Sequence, residues 1–405
     1  MLLLIVDFLR VMFSLQLPSA FTYFSTRMIL AAATALILSI YLGPRFIKKL
    51  YELKIGQTIR SVEECPLLAE LHGKKKDTPT MGGLLMLFSM TVALFLWMDL
   101  TNVFTWILLL TSVVLGLVGA TDDYLKLRYK NSKGMKARRK MIFQILFSSL
   151  IAIYLLCPPI TDFISGQKIF KAPTAKEQVQ KTGMKTKLVT LSTEEYMGRF
   201  YLPFFKDPAA HLDGWLKLIS FCFFVVVITG ASNAVNLTDG LDGLAAGCIL
   251  MAALVFALFA FLSNHIELAR YLNILYIEGS GEIAVYLFAL AGACLGFLWF
   301  NGYPAQVFMG DTGSLALGGV IGVSAVLLRR EALLALAGGI FVIEALSVIL
   351  QVLSYRYRNK KRIFLCAPLH HHYEYKGWPE TKVVARFWII SLLFAIMSVA
   401  SLKFQ

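Results

Sequence analysis

The sequence predicts an all-α polytopic membrane protein of about ten transmembrane helices, and three observations carry that expectation. Of the 405 residues, 58% are hydrophobic and only 16% are charged. The mean hydropathy is +0.68. The apolar residues are gathered in runs of about 20, the length at which a helix, with its backbone hydrogen bonds all internal, spans a hydrocarbon core. These runs fall near 23–42, 82–98, 103–121, 141–157, 215–231, 244–262, 283–300, 315–328, 332–353 and 386–402. Ahead of them, Met1 to Leu17 is apolar but carries Asp7 and Arg10 and no basic leader. It reads as an interfacial helix and not as a cleaved signal.

The net charge of +14 has no nucleic-acid-binding pattern with it. In a membrane protein, basic loops report topology and contact with anionic headgroups. Arg45, Lys48, Lys49 and the triplet Lys74-Lys75-Lys76 follow the first run. Lys126, Arg128, Lys130, Lys133, Lys136, Arg138, Arg139 and Lys140 follow the third, and Arg356, Arg358, Lys360, Lys361 and Arg362 follow the ninth. Strict alternation of ten spans puts all three segments on one face, the cytoplasmic one, and both termini outside. The six cysteines are scattered singly, which excludes a disulfide framework or a CxxC zinc site. The chain reads as one integral membrane domain over 1–405 with a long polar insertion on the outer face at about 158–213. Within the insertion, Val189 and Tyr201 point to a small β or irregular element. The other outer loops, near 99–102, 263–281 and 329–331, look chemically plain.

Five groups of unusual residues share the cytoplasmic face. Thr78-Pro79-Thr80-Met81-Gly82-Gly83 opens the second span, where glycines let an anion approach backbone amides. Thr121-Asp122-Asp123-Tyr124 ends the third. Adjacent carboxylates at a helix C-terminus repel each other and the helix dipole unless a cation intervenes. Asn236 to Gly243 carries Asp239 and Asp242 three apart, on one face of a nascent helix. Asn301 to Ser314 carries Asp311 between Gly310 and Gly313 at the mouth of an apolar helix. Pro368-Leu369-His370-His371-His372-Tyr373-Glu374 holds half of the chain's six histidines, side chains that titrate near neutrality.

Each group has a plainer reading: a turn, solvated interfacial acids paired with Lys126, a capping-box-like pair of Asp239 and Asp242, an N-cap at Asp311, an incidental histidine run. Together the groups fit Mg²⁺ chemistry on a diphosphate, because Mg²⁺ is held by one or two carboxylates plus phosphate oxygens. A cation-coupled secondary transporter is the reading from a different class. The acids gather at one interface and not at the midplane, and no paired broken helices stand out.

The motifs TPTMGG, TDDYLK, NLTDGLDGLA, FNGYPAQVFMGDTGS and PLHHHYE, in that order, resemble those of the phospho-N-acetylmuramoyl-pentapeptide transferase family. That family lies within the polyprenyl-phosphate N-acetylhexosamine-1-phosphate transferase superfamily. The triple histidine favours it over the N-acetylglucosamine-1-phosphate branch, which stays open as the sister reading. The resemblance implies transfer from UDP-MurNAc-pentapeptide to undecaprenyl phosphate, giving lipid I and UMP, with Mg²⁺, at the inner face of a bacterial plasma membrane. It implies Asp311 as metal ligand, Asp122 and Asp123 near the phosphates, and His370 as the important histidine with His371 and His372 beside it. Asn236, Asp239, Gly240, Leu241, Asp242, Asn301 and Phe308 would form the nucleotide end, Phe308 stacking the uracil. Lys75, Thr80 and Lys126 would line the same cleft. The 158–213 insertion departs from the family pattern and leaves an outer element for a partner contact or for support of a homodimer.

Overall fold

The structure is a computed structural model that describes Met12 and residues 22–53, 78–129, 134–165, 173–179 and 187–403. Apart from Met12, the expected interfacial helix at Met1–Leu17 lies outside the described residues, as does Lys75. Among the described residues, nine helices are long and apolar enough to cross a membrane. Each of the ten predicted spans meets a helix. The second, α2 (Gly83–Trp97), is apolar but has only 15 residues.

The other long helices are α1 (Phe24–Glu52), α3 (Val103–Tyr129), α4 (Ala137–Leu156), α7 (Lys217–Thr238), α8 (Leu244–Ser263), α10 (Gly281–Asn301), α11 (Gly310–Leu327), α13 (Gly339–Tyr357) and α15 (Glu380–Ala400). Shorter elements join them: α5 (Pro158–Ser165), α6 (Thr193–Met197), α9 (Ile266–Tyr271), α12 (Glu331–Ala337) and α14 (Leu369–Tyr375). The predicted span at 332–353 is therefore two helices, α12 and α13, divided at Gly338-Gly339. Glycine is a poor helix former, and the pair here marks the break.

α11 is the centre of the bundle, and every residue from Asp311 to Leu327 is buried. Its sequence is mostly Gly, Ala, Ser and branched aliphatics, a composition that lets neighbours approach on all sides. A Cβ added at Gly318 would lie 2.7 Å from the Ala231 carbonyl oxygen of α7. A polar zipper ties α4 to the same pair. Gln144 Nε2 donates to Ser232 Oγ at 3.0 Å, and Ser232 Oγ donates to the Leu315 carbonyl at 2.9 Å.

Described residues of the 158–213 segment reach the C-terminal end of α11, where the Tyr196 hydroxyl donates to the Leu327 carbonyl at 3.1 Å. Strand β1 (Ala175–Val179) pairs antiparallel with β2 (Lys187–Leu191), and β3 (Arg199–Phe200) with β4 (Ala210–His211). Val189 lies in β2, and Tyr201 directly follows β3. β1 also pairs with β5 (Tyr276–Ile277), from the loop that precedes α10.

The loops expected to be plain lie at or beside two buried ion pairs. Arg329 is buried, ion-paired with Glu331, and its Nε donates to the Arg199 carbonyl at 2.7 Å. Arg27 pairs with Glu282 at 2.6 Å, and Glu282 also accepts the Asp99 amide at 3.0 Å. These pairs join residues up to 255 positions apart, which is why a loop-by-loop reading does not find them.

Candidate functional site

At its N-terminal end, α11 begins on Gly310, whose φ of +74° is a left-handed conformation that suits glycine. The segment that opens α2 is laid against this turn. The Phe308 amide donates to the Pro79 carbonyl, and the Gly82 and Gly83 amides donate to the Phe308 and Met309 carbonyls, at 2.8–2.9 Å. A Cβ at Gly310 would meet Thr80 Oγ1 and Asp123 Oδ2, at 2.8 and 2.7 Å. Thr80 and Phe308 thus flank the turn that presents Asp311, and Phe308 is half-buried.

Asp123 reaches across from α3 and caps that helix. Its Oδ1 accepts the Asp311 amide at 3.2 Å, and its Oδ2 accepts the Thr312 amide at 3.0 Å and the Thr312 hydroxyl at 2.7 Å. Asp311 sits in the first turn without capping it, so its carboxylate is turned to other groups. The N-cap reading of Asp311 does not hold. Nor do Asp122 and Asp123 close their helix. α3 runs on to Tyr129, with Lys126 and Arg128 in its last turn where cations complement the dipole.

Carboxylate oxygens of Asp122, Asp123 and Asp311 lie within 4.8 Å of one another. Two lysines offset part of their charge. Lys126 Nζ is 2.6 Å from Asp122, 3.7 Å from Asp123 and 3.1 Å from Asp311. Lys140 contacts Asp311 and is 3.4 Å from Asp122. Lys140 stands in the first turn of α4, which begins at Ala137 and not near 141 as predicted. Oxygens this close suit a hard divalent cation, which binds carboxylates with waters and phosphate oxygens. Asp123 already accepts three hydrogen bonds from the start of α11, and Asp122 also accepts the Met135 amide at 2.7 Å. The Asp311 side chain keeps 12% exposure against 1% and 2% for the other two, so Asp311 is the carboxylate of the three most open to solvent.

The turn between α7 and α8 completes one side. Its helix ends at Thr238, and the next begins at Leu244 behind Gly243, whose φ is +77°. Asp239 and Asp242 therefore do not form the capping pair that their spacing allows. Asp239 accepts the Gly310 amide. Burial among protein atoms, with the charges of Asp311 and Asp123, pushes its carboxyl up to about 7, against the pull of the Gly310 amide and Lys126. Asp242 accepts the Ala305 amide at 3.0 Å, while its own amide donates to Glu380 at 2.8 Å. Asn301 staples the two loops: its Oδ1 accepts the Gly243 amide at 2.9 Å, and its Nδ2 donates to the Val307 carbonyl at 2.8 Å. Leu241 is buried in the core, while Asn236 is half-buried in the last turn of α7.

The histidine run forms α14. His370 is buried, and its Nε2 side abuts Gly240, where an added Cβ would overlap the ring. His371 Nδ1 bonds Glu374 at 2.7 Å. His372 Nδ1 accepts the Leu365 amide at 3.1 Å, and desolvation followed by the charge of Lys376 holds its imidazole below the usual range. A chain of contacts thus joins the groups, from His370 to Gly240, through Asp239 to Gly310, and on to Asp311 and Asp123. Two members escaped the sequence reading. Lys140, beside Asp311, was lost within a basic run, and Glu344, which accepts the Leu369 and His370 amides, within an apolar span, where a lone intramembrane acid is itself a signal of a functional site.

The chain also matches known families and proteins in sequence. The model of glycosyl transferase family 4 matches residues 105–329, more than half the chain, and the phospho-N-acetylmuramoyl-pentapeptide-transferase signature 1 matches residues 75–87. The chain is similar to a phospho-N-acetylmuramoyl-pentapeptide-transferase of Protochlamydia amoebophila, 64% identical over 414 aligned positions with 100% of both chains covered. It is 45% identical to one of Desulfotalea psychrophila, over 96% of each chain. With one of Methylacidiphilum infernorum it shares 44% identity, over 96% of this chain and 97% of the other. On these matches, the chain belongs to the phospho-N-acetylmuramoyl-pentapeptide-transferase family, a membrane phosphotransferase family within glycosyl transferase family 4.

Proposed function

We propose that the protein transfers phospho-MurNAc-pentapeptide from UDP-MurNAc-pentapeptide to undecaprenyl phosphate, releasing UMP and forming lipid I, with Mg²⁺ as cofactor. One observation carries this reading at the level of chemistry: three carboxylates and two lysines converge at one end of a membrane bundle. The basic loops at that end support a cytoplasmic site, with the 158–213 segment and both termini on the outer face of a bacterial inner membrane.

Asp311 would hold the metal, with Asp122 beside it. Mg²⁺, when bound, offsets negative charge on the diphosphate and the departing UMP. Lys126 and Lys140 offset the carboxylates of the free protein, and the phosphates compete for them on binding. Asp123 is a positioning residue here, holding the first turn of α11. Phe308 stacks the uracil, beside Thr80 and the loop of Asn236, Asp239, Gly240, Leu241 and Asp242. Asn301 orders that loop from within. His370, His371 and His372 line the same cleft, and Lys75 joins them by resemblance alone.

The acceptor phosphate has a second pKa near about 6 and is largely a dianion at neutral pH. It needs no base to become a nucleophile. Its oxygen attacks the β-phosphorus of the UDP-sugar, and the bond from that phosphorus to the oxygen of UMP breaks. Both oxygens of Asp122 have partners, the Met135 amide and the two lysines, which favours this direct route over a phospho-Asp intermediate. Positioning and charge neutralisation supply the rate.

The test is UMP release by purified protein in detergent with UDP-MurNAc-pentapeptide, undecaprenyl phosphate and Mg²⁺. Release that requires both substrates is the expected result. Release with UDP-N-acetylglucosamine in place of the muramoyl donor would move the protein to the sister reaction.

A further inference from the structure

Glu344 is wholly buried in α13, and the reaction as written gives it no task. A carboxylate inside a membrane helix is costly and calls for partners. Among the described residues its partners all lie at the start of α14. The Leu369 amide donates to Oε2 at 2.7 Å, the His370 amide donates to Oε1 at 3.1 Å, and His370 Nδ1 is 3.3 Å from Oε2. The carboxylate thus grips two consecutive backbone amides and faces one edge of the imidazole. Both ring nitrogens are buried without a hydrogen-bond partner: Nδ1 only faces the Glu344 carboxylate, and Nε2, on the opposite edge, lies against Gly240. A buried imidazole nitrogen without a partner is costly unless a ligand supplies one. Gly240 follows Asp239, the acceptor of the Gly310 amide, so Nε2 is aimed at the loop that closes on the acidic cluster.

We infer that Glu344 is a positioning residue for His370. Its carboxylate fixes the first turn of α14 through two backbone amides and faces the Nδ1 edge of the ring, and so holds Nε2 toward the Asp239–Gly243 loop, beside the acidic cluster. This inference rests on the transferase reading above. Geometry of this kind acts on the bound complex: a displacement of about 1 Å at a reacting centre can cost about 100-fold in rate.

The experiment is a double-mutant cycle on UMP release with Glu344→Gln, His370→Ala and the pair. Glu344→Gln is expected to lower kcat about 100-fold, with the KM for the UDP-sugar within about twofold. In the His370→Ala background it is expected to add nothing, because residues acting as a unit are non-additive. Additive losses, or a wild-type kcat in Glu344→Gln, would overturn the inference while leaving the transferase reading intact. No UMP from the wild-type protein would sink both.

Should Glu344→Gln fail to fold, Gly240→Ala reaches the same contact from the other side. It pushes the ring off the loop, and its loss of kcat should vanish once His370→Ala makes room. A loss that persists in that background would count against the inference. Gly230→Ala, where the added Cβ meets nothing within 4 Å, is the control.

Discussion

Asp123 accepts the backbone amide of Asp311 at 3.2 Å, so one carboxylate of the acidic cluster anchors the helix that presents another. With the Thr312 amide and hydroxyl on the same side chain, α3 and α11 are locked together at the acidic cluster. Two adjacent aspartates in sequence therefore have separate tasks. Asp122 faces the lysines, and Asp123 chiefly holds backbone.

That division separates two substitutions. Asp311→Asn removes a charge from the cluster but no anchor, so turnover should be abolished while the melting temperature in detergent stays near wild type. Asp123→Ala leaves two buried amides and a hydroxyl without their acceptor, at a cost of about 1–3 kcal/mol, and should lower the melting temperature clearly. A thermal-shift series read beside UMP release checks both. Near-normal turnover in Asp311→Asn would refute the metal assignment.

Phe308→Ala should weaken UMP binding by about tenfold, since base stacking on an aromatic ring contributes about 1–3 kcal/mol. The contacts that build the site from this residue are made by its backbone, to Pro79 and Gly82. Truncating the ring should leave the acidic cluster in place. Calorimetry with UMP is the measurement, and an unchanged affinity would remove the stacking role.

The Asp239 carboxyl, pushed up to about 7 by burial and by Asp311 and Asp123, binds its proton more tightly in the folded protein than in the unfolded chain, where an ordinary value is about 3.9. Its contribution to stability is therefore greatest at low pH and is lost as pH rises through the window up to about 7. In metal-free protein, Asp239→Asn should flatten the fall in melting temperature across that window. Added Mg²⁺ should lessen the fall in the wild type by favouring the ionised cluster. Identical pH profiles for the two proteins would contradict the burial argument.

At the other end of the molecule, Arg329→Ala should cost about 3–5 kcal/mol, the penalty for leaving the partner of a buried pair uncompensated; that partner is Glu331. The 18 residues of α11 put this pair about 27 Å from Asp311 at 1.5 Å per residue. The KM for the UDP-sugar should therefore be unchanged in whatever folded fraction is recovered. A shifted KM would reveal coupling between the two ends.

Length and hydropathy of the apolar runs located a helix for every predicted span, because bilayer thickness acts on each segment separately. The grouping of Asp122, Asp123 and Asp311 was legible for a similar reason. Charge at the end of an apolar run is costly wherever it occurs, so it stands out locally. Helix starts were less legible. The starts of α4 and α11 were set too late because Lys140 and Asp311 read as loop, when the fold supplies the partners that let them lie in first turns.

The sequence by itself determined the class of the protein, the order of its helices and the residue types of its candidate site, because each depends on local composition and spacing. Only the tertiary structure decided which acid does what. The anchoring of α11 by Asp123, the grip of Glu344 on α14, the staple of Asn301 and the Arg329–Glu331 pair at the far end all rest on contacts made by folding. Three of the four span long stretches of chain; in the fourth, two neighbours are enclosed by distant helices. A one-dimensional pattern holds no record of which buried polar group will meet which.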